Sequence, residues 1–217
     1  MLEKTTVVYI HLNGEFVPAG VLTIQEFGGN TLDVRFSYGR RYLERPGAIP
    51  IDPASLPLTR DAFRSHTLFG AFEDASPDDW GRHLLTRAAE DHGTVPSTFD
   101  FLTVPDVENR MGALAFGPDL KGPMTYRPDW RPQEIPGESL DLEKLIKAVD
   151  KTLQYQDLTP QEHRFLMRGS SVGGAQPKAL VTLEGRHWIA KFSRELEAWP
   201  TCRIELAAMR MAAHCSI

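Results

Sequence analysis

The sequence predicts an α+β fold in which a small N-terminal antiparallel β subdomain precedes a β-hairpin and several helices. Three observations predict it. Before residue 39, short β-branched runs are separated by Asn13-Gly14 and by Gly28-Gly29-Asn30, residues typical of turns between antiparallel strands. From Asp141, apolar residues recur at helical spacing. A second pair of strand-like runs flanks Glu184-Gly185-Arg186.

The N-terminal region contains several candidate strands. Val7 to Leu12 is β-branched, and Leu32 to Tyr38 alternates apolar and polar residues, so residues 6–38 are predicted to form an antiparallel sheet. Residues 46–57 contain four prolines, which exclude a regular helix and favour an ordered, extended connection. The small, apolar residues of Met111 to Gly117 predict a buried strand.

A helix is predicted from Pro77 to Asp91, ending before Gly93, with Ser76 as its cap. Its apolar stripe consists of Trp80, Leu84, Leu85 and Ala88. A ligand-binding platform at Trp80 is conceivable, but core or interface packing is the favoured interpretation at this spacing. For Phe99 to Val104, periodicity does not decide between helix and strand.

The second half of the chain begins with a proline-rich stretch. Residues 118–137 contain five prolines and are predicted to be a linker or a wrapping loop. An amphipathic helix follows from Asp141, and the capping box at Thr159 to Glu162 starts another that Gly169 ends. The expected division is residues 1–117, a connection over 118–137, and a second unit over 138–217.

Composition limits the classes of function. The 217 residues are 41% hydrophobic, enough for a core, and the net charge of −5 disfavours direct nucleic-acid binding. The two cysteines, Cys202 and Cys215, have no partners at zinc spacing, and the seven histidines form no H-x-x-x-H pair that would suggest a metal hydrolase. No apolar run approaches the roughly 18 residues of a membrane span. We therefore expect a soluble, cytoplasmic protein.

The segment with the most chemical information is the glycine-rich stretch Gly169 to Lys178. Glycine lets backbone N–H groups approach a phosphate closely. Lys191 ends the second strand-like run after this loop, and Glu205 lies early in a helix predicted over Thr201 to His214. Each feature alone is common: a glycine turn, a surface lysine and a solvated glutamate. In this order they match the small lobe of a protein-kinase-like fold, in which the lysine neutralises nucleotide phosphates and the glutamate holds the lysine.

The loop also carries a family signature. The usual kinase pattern G-x-G-x-x-G is absent, but Ser171 to Lys178 resembles the signature S-V-x-G-A-Q-x-K of the HipA family. Members are bacterial serine/threonine-protein kinases, the toxins of HipA/HipB toxin–antitoxin modules linked to growth arrest and persistence. Trp188 to Phe192 and Ile204 to Ala207 also resemble family segments, in the same order.

The resemblance implies a site for ATP and Mg²⁺. The nucleotide-binding residues that it implies are Ser171, Val172, Gly173, Gly174, Ala175, Gln176, Lys178, Lys191 and Glu205. Lys191 would contact the α and β phosphates, and Glu205 would pair with Lys191. Ser171 matches the serine that the family autophosphorylates, which ejects the loop and switches the kinase off; an ordinary turn hydroxyl is the alternative.

The resemblance further implies a HipB-like helix-turn-helix antitoxin, a protein substrate such as a glutamate tRNA-ligase, nucleic-acid contact only through the antitoxin, and no membrane association. It also implies that the catalytic and magnesium-binding aspartates follow the Glu205 helix. No such segment is present, and Asp141, Asp150 and Asp157 precede the loop. We therefore expect the N-terminal part of a longer kinase, with no catalytic residue here and no activity by itself. A non-enzymatic regulatory or antitoxin-docking module is the alternative.

Overall fold

A computed structural model of the chain describes residues 1–28, 30–133, 135, 142–168, 170–171, 174–183, 186–193 and 198–216. The predicted α+β class is confirmed: helices pack with a five-stranded antiparallel sheet and a two-stranded hairpin. The larger sheet has the order β4-β3-β2-β1-β5. Its strands are β1 (Leu2–Leu12), β2 (Glu15–Phe27), β3 (Asn30–Tyr38), β4 (Phe63–Ser65) and β5 (Leu114–Gly117).

The helices lie between and after these strands. They are α1 (Arg40–Leu43), α2 (Gly70–Asp74), α3 (Asp79–Glu90), α4 (Thr98–Thr103), α5 (Leu142–Leu153), α6 (Pro160–Met167) and α7 (Thr201–His214). The hairpin consists of β6 (Lys178–Leu183) and β7 (Arg186–Lys191), each starting one residue before its predicted position. The middle of the predicted hairpin connection, residues 184–185, and the predicted helix stop at Gly169 lie outside the described residues.

The first hairpin follows the turn chemistry of its sequence. Asn13 and Gly14 both have positive φ, 51° and 90°, as a two-residue turn between twisted strands requires. The sheet is larger than predicted, because β1 starts at Leu2 and β4 adds an edge strand. In contrast, β5 is shorter than predicted and starts at Leu114, after Gly112 with a φ of 99°.

Two helix starts differ from simple expectation. The cap of α3 is Asp78, not Ser76, whose hydroxyl donates to the Phe72 carbonyl at 3.2 Å instead. The ambiguous segment after Ser97 is helical, since Ser97 and Asp100 form a reciprocal capping box that fixes the first turn of α4. The predicted capping box of α6, between Thr159 and Glu162, is confirmed.

The main core lies between the five-stranded sheet and the short helices α2 and α4. Phe36 is at its centre, fully buried, with its ring in contact with those of Tyr38, Phe63 and Phe72. The proline-containing connection is ordered as predicted, because Leu56 in it is also fully buried and accepts a hydrogen bond from Tyr38 at 2.6 Å.

The proline-rich segment wraps over the molecule as far as it is described, to residue 133. Trp130 is buried against Leu85 and Met167, so it joins α3 to α6. The neighbouring Arg131 is buried and its guanidinium donates to the carboxylate of Asp106 at 2.5 Å. Of the two predicted alternatives, this part of the segment is a wrapping loop.

A second core joins α3, α5, α6 and β6. Trp80 lies in it with Leu145, Phe165 and Val181, as the packing interpretation of this indole predicted. Helix α7 contains no buried residue. Within the described part of the chain, no helix is both long and apolar enough to cross a membrane.

Candidate nucleotide-phosphate site

The β6–β7 hairpin brings two lysines face to face. Lys178 and Lys191 are directly paired in the strand register, so both side chains lie on the same face of the hairpin. Like charges at directly opposite positions destabilise a sheet. Burial lowers the pKa of Lys178, and the charge of Lys191 lowers it further, while Asp78 and Glu205 oppose the shift. An anion bound between the two ammonium groups would reduce this repulsion.

The structure also brings Lys191 and Glu205 together. The Lys191 ammonium donates to a carboxylate oxygen of Glu205, so the hairpin is linked to α7 by an ion pair. Both side chains are more than a third exposed, at 36% and 42%. Exposed pairs contribute little to stability. This contact can therefore orient the Lys191 ammonium without being needed for the fold.

Gly174 supplies a backbone donor beside Lys178. Its φ of 103° is rarely adopted by residues with a side chain, and a Cβ added there would lie 2.5 Å from the Lys178 Nζ. The Gly174 N–H donates to a carboxylate oxygen of Asp78 at 2.5 Å. The Gly174 amide thus binds an anionic oxygen, and the Lys178 ammonium lies close to Gly174. This donor set fits a phosphate group.

The remaining predicted loop residues are placed differently. The Gln176 side-chain amide donates to the Cys202 sulfur at 3.1 Å, which connects the loop to the first turn of α7. Ala175 is exposed. Val172 and Gly173 lie outside the described residues. The structure therefore assembles Gly174, Lys178, Lys191 and Glu205 as one cluster.

Ser171, near the start of the loop, is partly buried. Its hydroxyl oxygen is buried and has no hydrogen-bond partner among the described residues. Ser171 lines a pocket of about 60 Å³ together with Asp78 and Arg110. A hydroxyl enclosed in this way has to move outward before a phosphate donor can reach it.

Sequence reasoning missed two contributors from α3. Asp78 contacts Gly174, and the Trp80 indole N–H donates to the Lys178 carbonyl at 2.8 Å. Asp78 was recognisable only as an acidic residue at a helix start, and Trp80 only as an apolar one. In the described residues, no group of three or more His, Cys, Asp or Glu side chains could hold a metal ion.

The comparisons with known proteins point to one family. No curated protein gives a significant match to the chain. The family model described as HipA N-terminal domain matches residues 9–117, from β1 through β5. This match covers half of the 217 residues and ends well before the glycine-rich loop, so it is independent of the loop signature. The chain belongs to the HipA family and contains its N-terminal domain.

Proposed function

We propose that this chain supplies the nucleotide-phosphate side of a HipA-type serine/threonine-protein kinase toxin. The observation that carries the proposal is the facing pair Lys178 and Lys191 beside the Gly174 amide. A pair of opposed ammonium groups costs stability in a hairpin, and a polyphosphate between them removes that cost. The family membership supports the toxin context, because the matched domain is a HipA domain.

The residues have distinct proposed roles. The Gly174 N–H and the Lys178 ammonium bind phosphate oxygens, Lys191 neutralises charge on the α and β phosphates, and Glu205 orients Lys191. ATP, with Mg²⁺, supplies the phosphoryl group. We assign neither the base that accepts the substrate proton nor a magnesium ligand to any described residue, so phosphoryl transfer depends on groups that we do not identify in this chain.

Ser171 is the proposed regulatory autophosphorylation site. Its enclosed hydroxyl supports a mechanism in which the loop must leave its position before modification. A phosphate on Ser171 adds nearly two negative charges next to Asp78, which would repel the loop from the conformation described here. The unmodified chain would therefore hold the binding-competent loop.

The proposed partners follow from the family. They are a HipB-like helix-turn-helix antitoxin, through which nucleic acid is contacted indirectly, and a cytoplasmic protein substrate such as a tRNA-ligase. The match to a HipA domain supports the toxin–antitoxin context, and the net charge of −5 agrees with the absence of a direct nucleic-acid role.

Nucleotide titration of the 217-residue chain tests the proposal. Lys191→Met should weaken binding of a non-hydrolysable ATP analogue about tenfold, since one charge-assisted phosphate contact is lost. Lys121→Met is the matched control, because the Lys121 side chain is 91% exposed and lies in the proline-rich segment, outside the proposed cluster. If the Lys191 and Lys121 variants bound the analogue equally well, the nucleotide role would be wrong.

A non-enzymatic docking module is the second candidate. Helix α7 exposes four large apolar side chains: Ile204, Leu206, Met209 and Met211. Such a surface favours contact with another polypeptide. This function predicts partner binding that is unchanged by ATP and by Lys191→Met. Calorimetric titration of the antitoxin with and without nucleotide distinguishes the two candidates.

A further inference from the structure

We infer that the first turn of α3 holds the nucleotide loop in its binding conformation, with Trp80 and Gly81 as positioning residues. This inference rests on the proposed function, because it assigns to the HipA N-terminal domain the task of holding the phosphate-binding loop in shape. The domain match covers α3, whereas the loop lies after the matched residues. The two parts of the chain would therefore form the site together.

Trp80 holds the end of the loop. Its indole N–H donates to the backbone carbonyl of Lys178 at 2.8 Å, in a buried contact between residues 98 positions apart. Lys178 is the first residue of β6 and is paired with Lys191. Fixing its carbonyl restrains the backbone of Lys178, the residue whose ammonium lies beside Gly174.

Gly81 holds the beginning of the loop. A Cβ at this position would overlap the carbonyl oxygen of Ser170 and lie 2.7 Å from the Pro77 Cβ. Gly81 is buried in the middle of a helical turn, where glycine costs about 1 kcal/mol relative to alanine. The close backbone contact with Ser170 gives a physical reason for this residue. Ser170 is itself fully buried, so the loop is pressed onto α3 there.

Asp78 contacts the loop between these two points. Its carboxylate accepts the Gly174 N–H, and Asp78 is exposed. The contacts of Trp80 and Gly81 are therefore shielded from solvent, whereas a phosphate oxygen can replace the exposed Asp78 carboxylate at the Gly174 N–H. The start of α3 thus contacts the loop at three points: near its beginning at Ser170, in its middle at Gly174 and at its end at Lys178.

The decisive variant is Trp80→Phe, which keeps an aromatic ring in the core but removes the indole N–H donor together with part of the buried ring volume. We expect about fivefold weaker binding of the ATP analogue, because one buried hydrogen bond to the loop is lost. Amide hydrogen exchange over residues 174–178 should accelerate by a similar factor. Gly81→Ala should produce at least as large an effect at residues 170–171, where the added methyl group displaces the backbone.

The control is Leu85→Val on the same helix. Leu85 is fully buried against Trp130 and Met167 rather than against the loop. Leu85→Val should lower the thermal unfolding midpoint by about as much as Trp80→Phe does. It should leave the affinity for the ATP analogue and the amide hydrogen exchange of the loop unchanged. A merely structural role of Trp80 predicts that the two variants behave alike, which would overturn the inference.

The outcomes separate the inference from the proposed function. If Lys191→Met weakens nucleotide binding and Trp80→Phe does not, the proposed nucleotide site is supported and the inferred role of α3 is wrong. If the wild-type chain binds no nucleotide, the proposed function fails. Amide hydrogen exchange over residues 174–178 then tests the role of α3 by itself. Unchanged exchange in Trp80→Phe would overturn it, and selective acceleration there would support it even if Gly81→Ala failed to fold.

Discussion

The two hairpins of the molecule, β1–β2 and β6–β7, follow the same antiparallel rules in very different surroundings. In the first, the inward residues Val8, Leu22 and Ile24 are completely buried. In the second, Ala179 and Val181 of β6 are buried in a core, whereas Trp188 and Ile189 of β7 are 53% and 44% exposed. The first hairpin is thus stabilised by the burial of apolar area, which contributes a free energy on the order of 25 cal/mol per Å². The second has far less of this stabilisation.

The charges of the two sheets can be compared in the same way. In the N-terminal sheet, Arg35 of β3 is directly paired with Arg64 of β4, but both guanidinium groups contact the buried carboxylate of Asp33. At the start of the second hairpin, Lys178 faces Lys191. The N-terminal pair thus has a buried counter-ion, whereas Lys191 contacts the exposed carboxylate of Glu205. This difference fits the role in binding an anion that we propose for the C-terminal pair.

The largest expected effect is in the N-terminal core. Phe36→Ala should lower the free energy of unfolding by about 3–5 kcal/mol, because a fully buried ring surrounded by three aromatic rings leaves a cavity. Urea denaturation followed by circular dichroism measures it. Phe27→Ala on strand β2, where the ring is 66% exposed, is the control. Equal losses in the two variants would break the comparison.

The next effect concerns the charges beneath the wrapping segment. Asp106→Asn should cost about 3 kcal/mol, because the Arg131 side chain, only 2% exposed, loses its buried carboxylate. Burial already lowers the pKa of the nearby Arg110 to about 10, and Asp106 counteracts this shift. The exposed pair of Arg40 and Glu44 provides the control. Glu44→Gln should change the free energy of unfolding, measured with denaturant, by about 0.5 kcal/mol or less. A similarly small loss for Asp106→Asn would contradict this account.

Much of the fold could be predicted because its signals are local. The turn at Asn13-Gly14 and the capping box from Thr159 to Glu162 are each contained within a few residues, and both are found as predicted. The start of α3 was misplaced because Ser76 and Asp78 both have the chemistry of a cap. The Ser76 hydroxyl is bonded instead to the Phe72 carbonyl, four residues earlier, and the helix begins after Asp78.

The candidate site was predictable in part for the same reason. The spacing of Gly174, Lys178, Lys191 and Glu205 suggested a cluster, which the fold assembles. The Trp80 contact joins residues 98 positions apart through an indole N–H and a backbone carbonyl, and a carbonyl has no residue identity to read from the sequence. Contacts between side chains and distant backbone are therefore the part that sequence patterns miss.

A smaller effect is expected at the helix that leads into the loop. Burial acts to raise the pKa of Glu162, but hydrogen bonds from Lys151 and Thr159 outweigh it, and its pKa lies below the ordinary value of 4.5. The ionised carboxylate therefore stabilises the fold above that pH, and the contribution is lost as pH falls through the lowered pKa. Glu162→Gln should cost about 1 kcal/mol at neutral pH.

Denaturant unfolding at several pH values checks this prediction. The difference in free energy of unfolding between the wild type and Glu162→Gln should narrow as pH falls below 4.5, because Glu162 then becomes neutral as glutamine always is. Glu143→Gln, on the exposed first turn of α5, is the control. A difference that stayed constant down to the acid transition would show that the charge of Glu162 is not the stabilising feature.

The smallest effect should be on α7. Met209 is 65% exposed, and no residue of the helix is buried, so Met209→Ala should change the free energy of unfolding by less than about 0.5 kcal/mol. The contrast with Phe36→Ala measures directly how differently the two regions are stabilised. A loss of about 2 kcal/mol would mean that α7 is covered in solution, for instance by a second copy of the chain. Unfolding at two protein concentrations separates these cases, because only a helix covered by association gives a stability that rises with concentration.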